Sequence, residues 1–110
     1  RIVFSMRELD KRLRRFLARY TVAGTKVILV GHSLGGLLAR WYVQAGGGER
    51  TEMVITLGTP HGGTLAGKIA HPGLRNMLLP GGSVIRSLQQ GWSLHSHIPH
   101  ISFDNLDTLL

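Results

Sequence analysis

The sequence predicts an α/β fold, a parallel sheet with flanking helices, on three observations. Lys26-Val27-Ile28-Leu29-Val30 and Met53-Val54-Ile55-Thr56-Leu57 are short, unbroken, mostly β-branched runs, the pattern of strands covered on both faces. Between them Leu34, Leu37, Leu38, Trp41 and Ala45 recur at helical spacing, so strand, helix and strand fit one right-handed crossover. Ahead of them Leu9, Leu13, Phe16/Leu17 and Tyr20 mark the apolar stripe of another helix.

Each element has its own local signals. Ser5-Met6-Arg7-Glu8 reads as a capping box, with Phe4 and Leu9 at the two staple positions. Gly24 ends the first helix, and Gly46-Gly47-Gly48 stops the second. The second strand breaks at Gly58-Thr59-Pro60-His61-Gly62-Gly63. Beyond it Gly73, Pro80, Gly81 and Gly82 fragment the pattern, with a short helix expected over 83–88 and a third strand near 98–103. No internal repeat or linker divides the chain, so residues 1–110 are read as a single, partial domain.

Composition narrows the class. Apolar residues make up 43% of the chain and charged residues 17%, values of a globular protein rather than a disordered one. No run approaches the roughly 18 apolar residues of a membrane span, and no secretory signal opens the sequence, which leaves the compartment unassigned. The absence of cysteine excludes disulfides and thiolate chemistry. The net charge of +7 is concentrated in residues 1–20, where seven Lys/Arg face Glu8 and Asp10. A solvated helix face accounts for this bias, and nucleic acid is not expected as a partner.

The chemistry centres on Gly31-His32-Ser33-Leu34-Gly35, a G-x-S-x-G turn between strand and helix. Such a turn lifts Ser33 clear of the sheet as a nucleophile and aims the Leu34 amide at the developing oxyanion. Gly31 and Gly35 are expected to let strand and helix approach each other closely around it.

With those residues in view, Val27-Ile28-Leu29-Val30-Gly31-His32-Ser33-Leu34-Gly35-Gly36-Leu37 resembles the central segment of bacterial lipases and esterases of the α/β-hydrolase superfamily. Thr56-Leu57-Gly58-Thr59-Pro60-His61-Gly62-Gly63-Thr64 resembles the Gly-Thr-Pro-His-x-Gly segment of triacylglycerol lipases. The likeness covers about residues 26–66 closely and the remainder loosely. It implies hydrolysis of lipid or acyl esters through a Ser33 acyl-enzyme, without metal or organic cofactor. A lipid or acyl-ester molecule is then the expected partner, with transient contact to a lipid surface compatible with it.

The resemblance also assigns the remaining positions. Asp107 matches the acid that orients the base, better than Asp104. His32 belongs to the elbow pattern and His61 to the Pro-His-Gly segment, and neither is the base. In this fold the order is Ser, Asp/Glu, His, and no histidine follows Asp107. The sequence therefore reads as the middle of a hydrolase domain of roughly twice this length. By itself it is expected to be inactive, with its base elsewhere. His71, His95, His97 and His100 are read as surface or loop residues. No metal site is expected from His95, His97 and His100, because no carboxylate or cysteine set accompanies them. Two other functions remain open: acyl transfer on the same chemistry, and a non-catalytic module binding anionic membrane or nucleic acid through its basic helix. A serine peptidase fits the elbow less well than an esterase, given Thr59-Pro60-His61-Gly62.

Overall fold

The computed structural model describes residues 5–65 and 72–104. Helix α1 (Met6–Tyr20) leads into strand β1 (Val27–His32) and helix α2 (Leu34–Tyr42). Strand β2 (Thr51–Leu57), helices α3 (Pro72–Leu78) and α4 (Ser83–Gly91) and strand β3 (His100–Phe103) follow. The strands pair in chain order, β1-β2-β3, and both pairings are parallel. This is the α/β architecture of a partial α/β-hydrolase-like fold, as the alternation of strand and helix patterns predicts.

Local signals explain the element ends. The Ser5 hydroxyl accepts from the Glu8 amide at 3.1 Å, satisfying one of the unpaired donors of the first turn. Phe4, the other half of the expected staple, lies outside the described residues. Gly24, in the left-handed region at φ +83°, turns the chain from α1 toward β1. At the end of α2 the helix widens into a π-type turn, Val43–Gly47, and Gly46 at φ +110° reverses the chain. Helix α3 was not expected, because Gly73 and Pro80 obscure its period; Pro72 is its first residue, where a missing N–H costs nothing.

Helix α2 divides the core. Its Ala39 and Tyr42, with Val43 just after it, pack with Leu17, Leu29, Val54 and Ile98 in one cluster. Its Leu37 joins Met6, Met77, Leu78, Ile85 and Leu88 in another. Ala45, expected on the buried face, is exposed: the π-type turn begins before it and carries it off the stripe. The stripe of α1 is also corrected. Leu17 is buried with Met6 and Asp10, whereas Phe16 and Tyr20 are 57% and 64% exposed. Successive residues turn by about 100° on a helix, so Phe16 lies too far round from Leu17 for both to face inward.

Both strands were expected to be covered on both faces. Leu29, Gly31, Val54 and Thr56 are buried. On the opposite face Ile28 and Val30 are 53% and 62% exposed, in line with the exposed Ile101 and Phe103 of β3. The register aligns Val30 with Ile55 and Ile55 with Ile101, so this open face is continuous. Among the described residues, the helices cover one face of the sheet.

Candidate active site

The carboxyl ends of the strands finish level with one another. The Ser33 amide donates to the Leu57 carbonyl at 2.9 Å, and the Gly58 amide donates to the Phe103 carbonyl at 2.7 Å. Ser33 stands at the end of β1 with φ 52° and ψ −119°, and it is the one non-glycine at positive φ among the described residues. Its carbonyl accepts from the Gly36 amide at 3.1 Å and from the Thr59 hydroxyl at 2.9 Å. A strained backbone is therefore held at both its polar groups.

Ser33 is also the N-cap of α2, yet its hydroxyl makes no capping bond. Leu34 opens the helix, where the first amides lack intrahelical partners and the dipole favours negative charge. A hydroxyl without a hydrogen-bond partner among the described residues, beside the first amides of a helix, is what attack on a carbonyl needs.

The glycines act differently from the expectation. A Cβ on Gly31 would come within 2.4 Å of the Gly35 backbone, and one on Gly36 within 2.0 Å of the Thr59 hydroxyl oxygen. A Cβ on Gly35 would meet nothing within 4 Å. The close approach is thus carried by Gly31 and Gly36, while Gly35 faces a cavity of about 210 Å³ that Leu13, Leu29 and Leu38 also line.

Below this turn lies a polar cluster. Arg40, on α2, is only 5% exposed. It meets His61 Nδ1 at 2.8 Å, donates to the Leu88 carbonyl at 3.2 Å, and sits 5.0 Å from the Trp92 ring centre. His61 Nε2 lies 3.1 Å from the Thr56 hydroxyl and 3.3 Å from that of Ser102. Thr56 also contacts His100 Nε2 at 3.0 Å, and Ser102 donates to Asp104 at 2.7 Å. Burial, then the Arg40 charge and His100, against the opposing pull of Asp104, bring the His61 pKa down to about 4. His100 is shifted down by burial and Arg40, again opposed by Asp104.

The histidines can now be placed. Both ring nitrogens of His61 are engaged, Nδ1 with Arg40 and Nε2 with Thr56 and Ser102, and no hydrogen bond joins the ring to the Ser33 hydroxyl among the described residues. His32 is exposed beside the nucleophile. His95 and His97 line a separate cavity of about 710 Å³ with Lys26, Glu49 and Glu52, near the amino ends of β1 and β2. No His, Asp or Glu trio among the described residues could hold a metal ion. His71 and Asp107 lie outside the described residues. Arg40, Thr56, Thr59 and Ser102 are polar members of the site that sequence reasoning did not single out. A signal existed for Arg40: it falls one turn after Leu37, on the inward arc of an apolar helix.

The segment from α1 through the loop after β2 has a counterpart among known families. A family model, the PGAP1-like alpha/beta domain, matches residues 6–68. No curated protein and no solved structure matches the chain significantly. The matched residues make up more than half of the sequence and hold β1, Ser33, α2 and β2, and the chain therefore belongs to the PGAP1-like alpha/beta domain family, a family of α/β-hydrolase type.

Proposed function

We propose that the protein hydrolyses carboxylic esters of the lipid or acyl class through an acyl-enzyme on Ser33. One observation carries the reading: Ser33 holds a strained conformation, fixed at its amide and carbonyl, with its hydroxyl making no bond among the described residues at the start of α2. Evolution and packing have little reason to maintain such strain where no chemistry uses it.

In the first half-reaction a base takes the Ser33 proton as Oγ bonds to the ester carbon. The Leu34 amide donates to the oxyanion, and the base returns the proton to the departing alcohol. Water, deprotonated by the same base, then releases the acid and frees Ser33. The base comes from outside the described residues, since His61 and His100 are tied into the Arg40 cluster. Asp107 orients it. No metal or organic cofactor takes part in these steps. The resemblance of the Thr59-Pro60-His61-Gly62 segment to that of triacylglycerol lipases supports the lipid-ester class.

Turnover of short- and long-chain esters by the natural protein tests the reading. Ser33→Ala is expected to lower kcat on the order of 10⁶-fold, with free acid as the product of the unmodified protein. Acyl transfer to an added alcohol in preference to water would assign the same acyl-enzyme to a transferase. Turnover that survives Ser33→Ala would remove Ser33 from the reaction.

A further inference from the structure

Arg40 is a buried cation without an acidic partner among the described residues, and its Nε has no hydrogen-bond partner there either. Such a group is costly unless its donors are used. A guanidinium can only donate, so the 2.8 Å contact fixes the lone pair of His61 on Nδ1. The ring proton then resides on Nε2, facing the hydroxyls of Thr56 and Ser102. Ser102 donates its own proton to Asp104 at 2.7 Å and is thereby open to accept from His61, while the Thr56 hydroxyl stands between His61 Nε2 and His100 Nε2, 3.1 and 3.0 Å away. The branch from Arg40 through His61 and Ser102 is thereby oriented outward, and it ends on the Asp104 carboxylate after β3.

The same residue, through its backbone amide, anchors the turn that holds the nucleophile. The His61 amide donates to the Thr59 carbonyl at 3.0 Å, and the Thr59 hydroxyl donates to the Ser33 carbonyl at 2.9 Å. A Gly36 Cβ would strike that hydroxyl, so the turn is seated against the elbow with no room to shift. We propose that Arg40 is a positioning residue for the Ser33 reaction, acting through a neutral, Nε2-protonated His61 that holds Thr59 against the elbow. This rests on the ester-hydrolase reading for its kinetic consequence, though the proton arrangement stands apart from it.

Two measurements on the natural protein test the proposal. Nitrogen-15 NMR of labelled histidines is expected to show His61 protonated on Nε2 at pH 7 and titrating near pH 4. Arg40→Met should raise that midpoint toward 6.5 and mix the two tautomers. A proton on His61 Nδ1, or a midpoint near 6.5 in the unmodified protein, would overturn the arrangement. Reaction with a fluorophosphonate is then followed as a maximal rate and a half-saturating concentration. Arg40→Met and Thr59→Val should each lower the maximal rate tenfold or more with little change in the second constant, and Thr59→Ser should recover it. Equal maximal rates across wild type, Arg40→Met and Thr59→Val would overturn the positioning role. Thr59→Val decides the point if Arg40→Met fails to fold. No reaction at Ser33 in the unmodified protein would defeat the hydrolase reading and with it the role of Arg40, while the tautomers would still report on the arrangement.

Discussion

Ser33 holds a conformation that costs on the order of 1–3 kcal/mol for a residue with a side chain, and its neighbours determine whether that cost is sustained. At the elbow, Gly31 and Gly36 are the positions where a Cβ would strike the Gly35 backbone and the Thr59 side chain. Gly31→Ala is expected to destabilise the protein by about 3 kcal/mol, because the obstructing atoms are backbone and cannot rotate away. Gly35→Ala should instead leave stability unchanged or raise it by up to about 1 kcal/mol, the usual gain from replacing a helical glycine. Urea midpoints of the two variants separate these outcomes. The motif was visible in the sequence, but which glycine is indispensable was not. That depends on where Thr59 arrives, and Thr59 lies 26 residues downstream. The acid resists a sequence argument for a related reason: Asp104 and Asp107 both follow β3, and only Asp104 lies among the described residues.

At the scale of elements, β1, α2 and β2 are legible because their apolar periods are strong and their ends carry glycine, whereas β3 shows only as a short apolar run in a fragmented stretch. The inward face of α1 was only partly so. Leu9, Leu13, Phe16, Leu17 and Tyr20 all fit a helical stripe, and α2 packs on only part of that arc. Leu17→Ala is therefore expected to cost about 2–5 kcal/mol, whereas Phe16→Ser should change stability by no more than about 0.5 kcal/mol. Thermal or chemical unfolding of the two variants checks the difference. The buried polar members of α2 and β2 were hidden for another reason. Arg40 and Thr56 sit where a periodic reading expects apolar side chains, and they are tolerated there because each finds hydrogen-bond partners on another element.

The molecule as a whole combines a covered sheet face, a polar cluster beneath the elbow and an open apolar face. The polar cluster gives the fold a pH dependence. His61 has its pKa brought down to about 4 in the folded state, mainly by burial and then by Arg40, against about 6.5 in the unfolded chain. Between those values the unfolded chain binds a proton that the folded protein does not. Stability therefore rises as pH increases from about 4 to 6.5 and is fully present above 6.5. His100 adds a contribution of the same sign. Urea midpoints measured from pH 4 to 7 should climb in the natural protein and climb less in His61→Gln; equal slopes would contradict this account.

The proposed ester hydrolysis depends on Ser33 as the nucleophile, held in the turn between β1 and α2. Covalent labelling of the natural protein with a fluorophosphonate, followed by peptide mapping, tests that most directly. One label per molecule on Ser33, absent from Ser33→Ala, is the predicted result. A folded protein that takes up no label, or that carries it on another residue, would contradict the account.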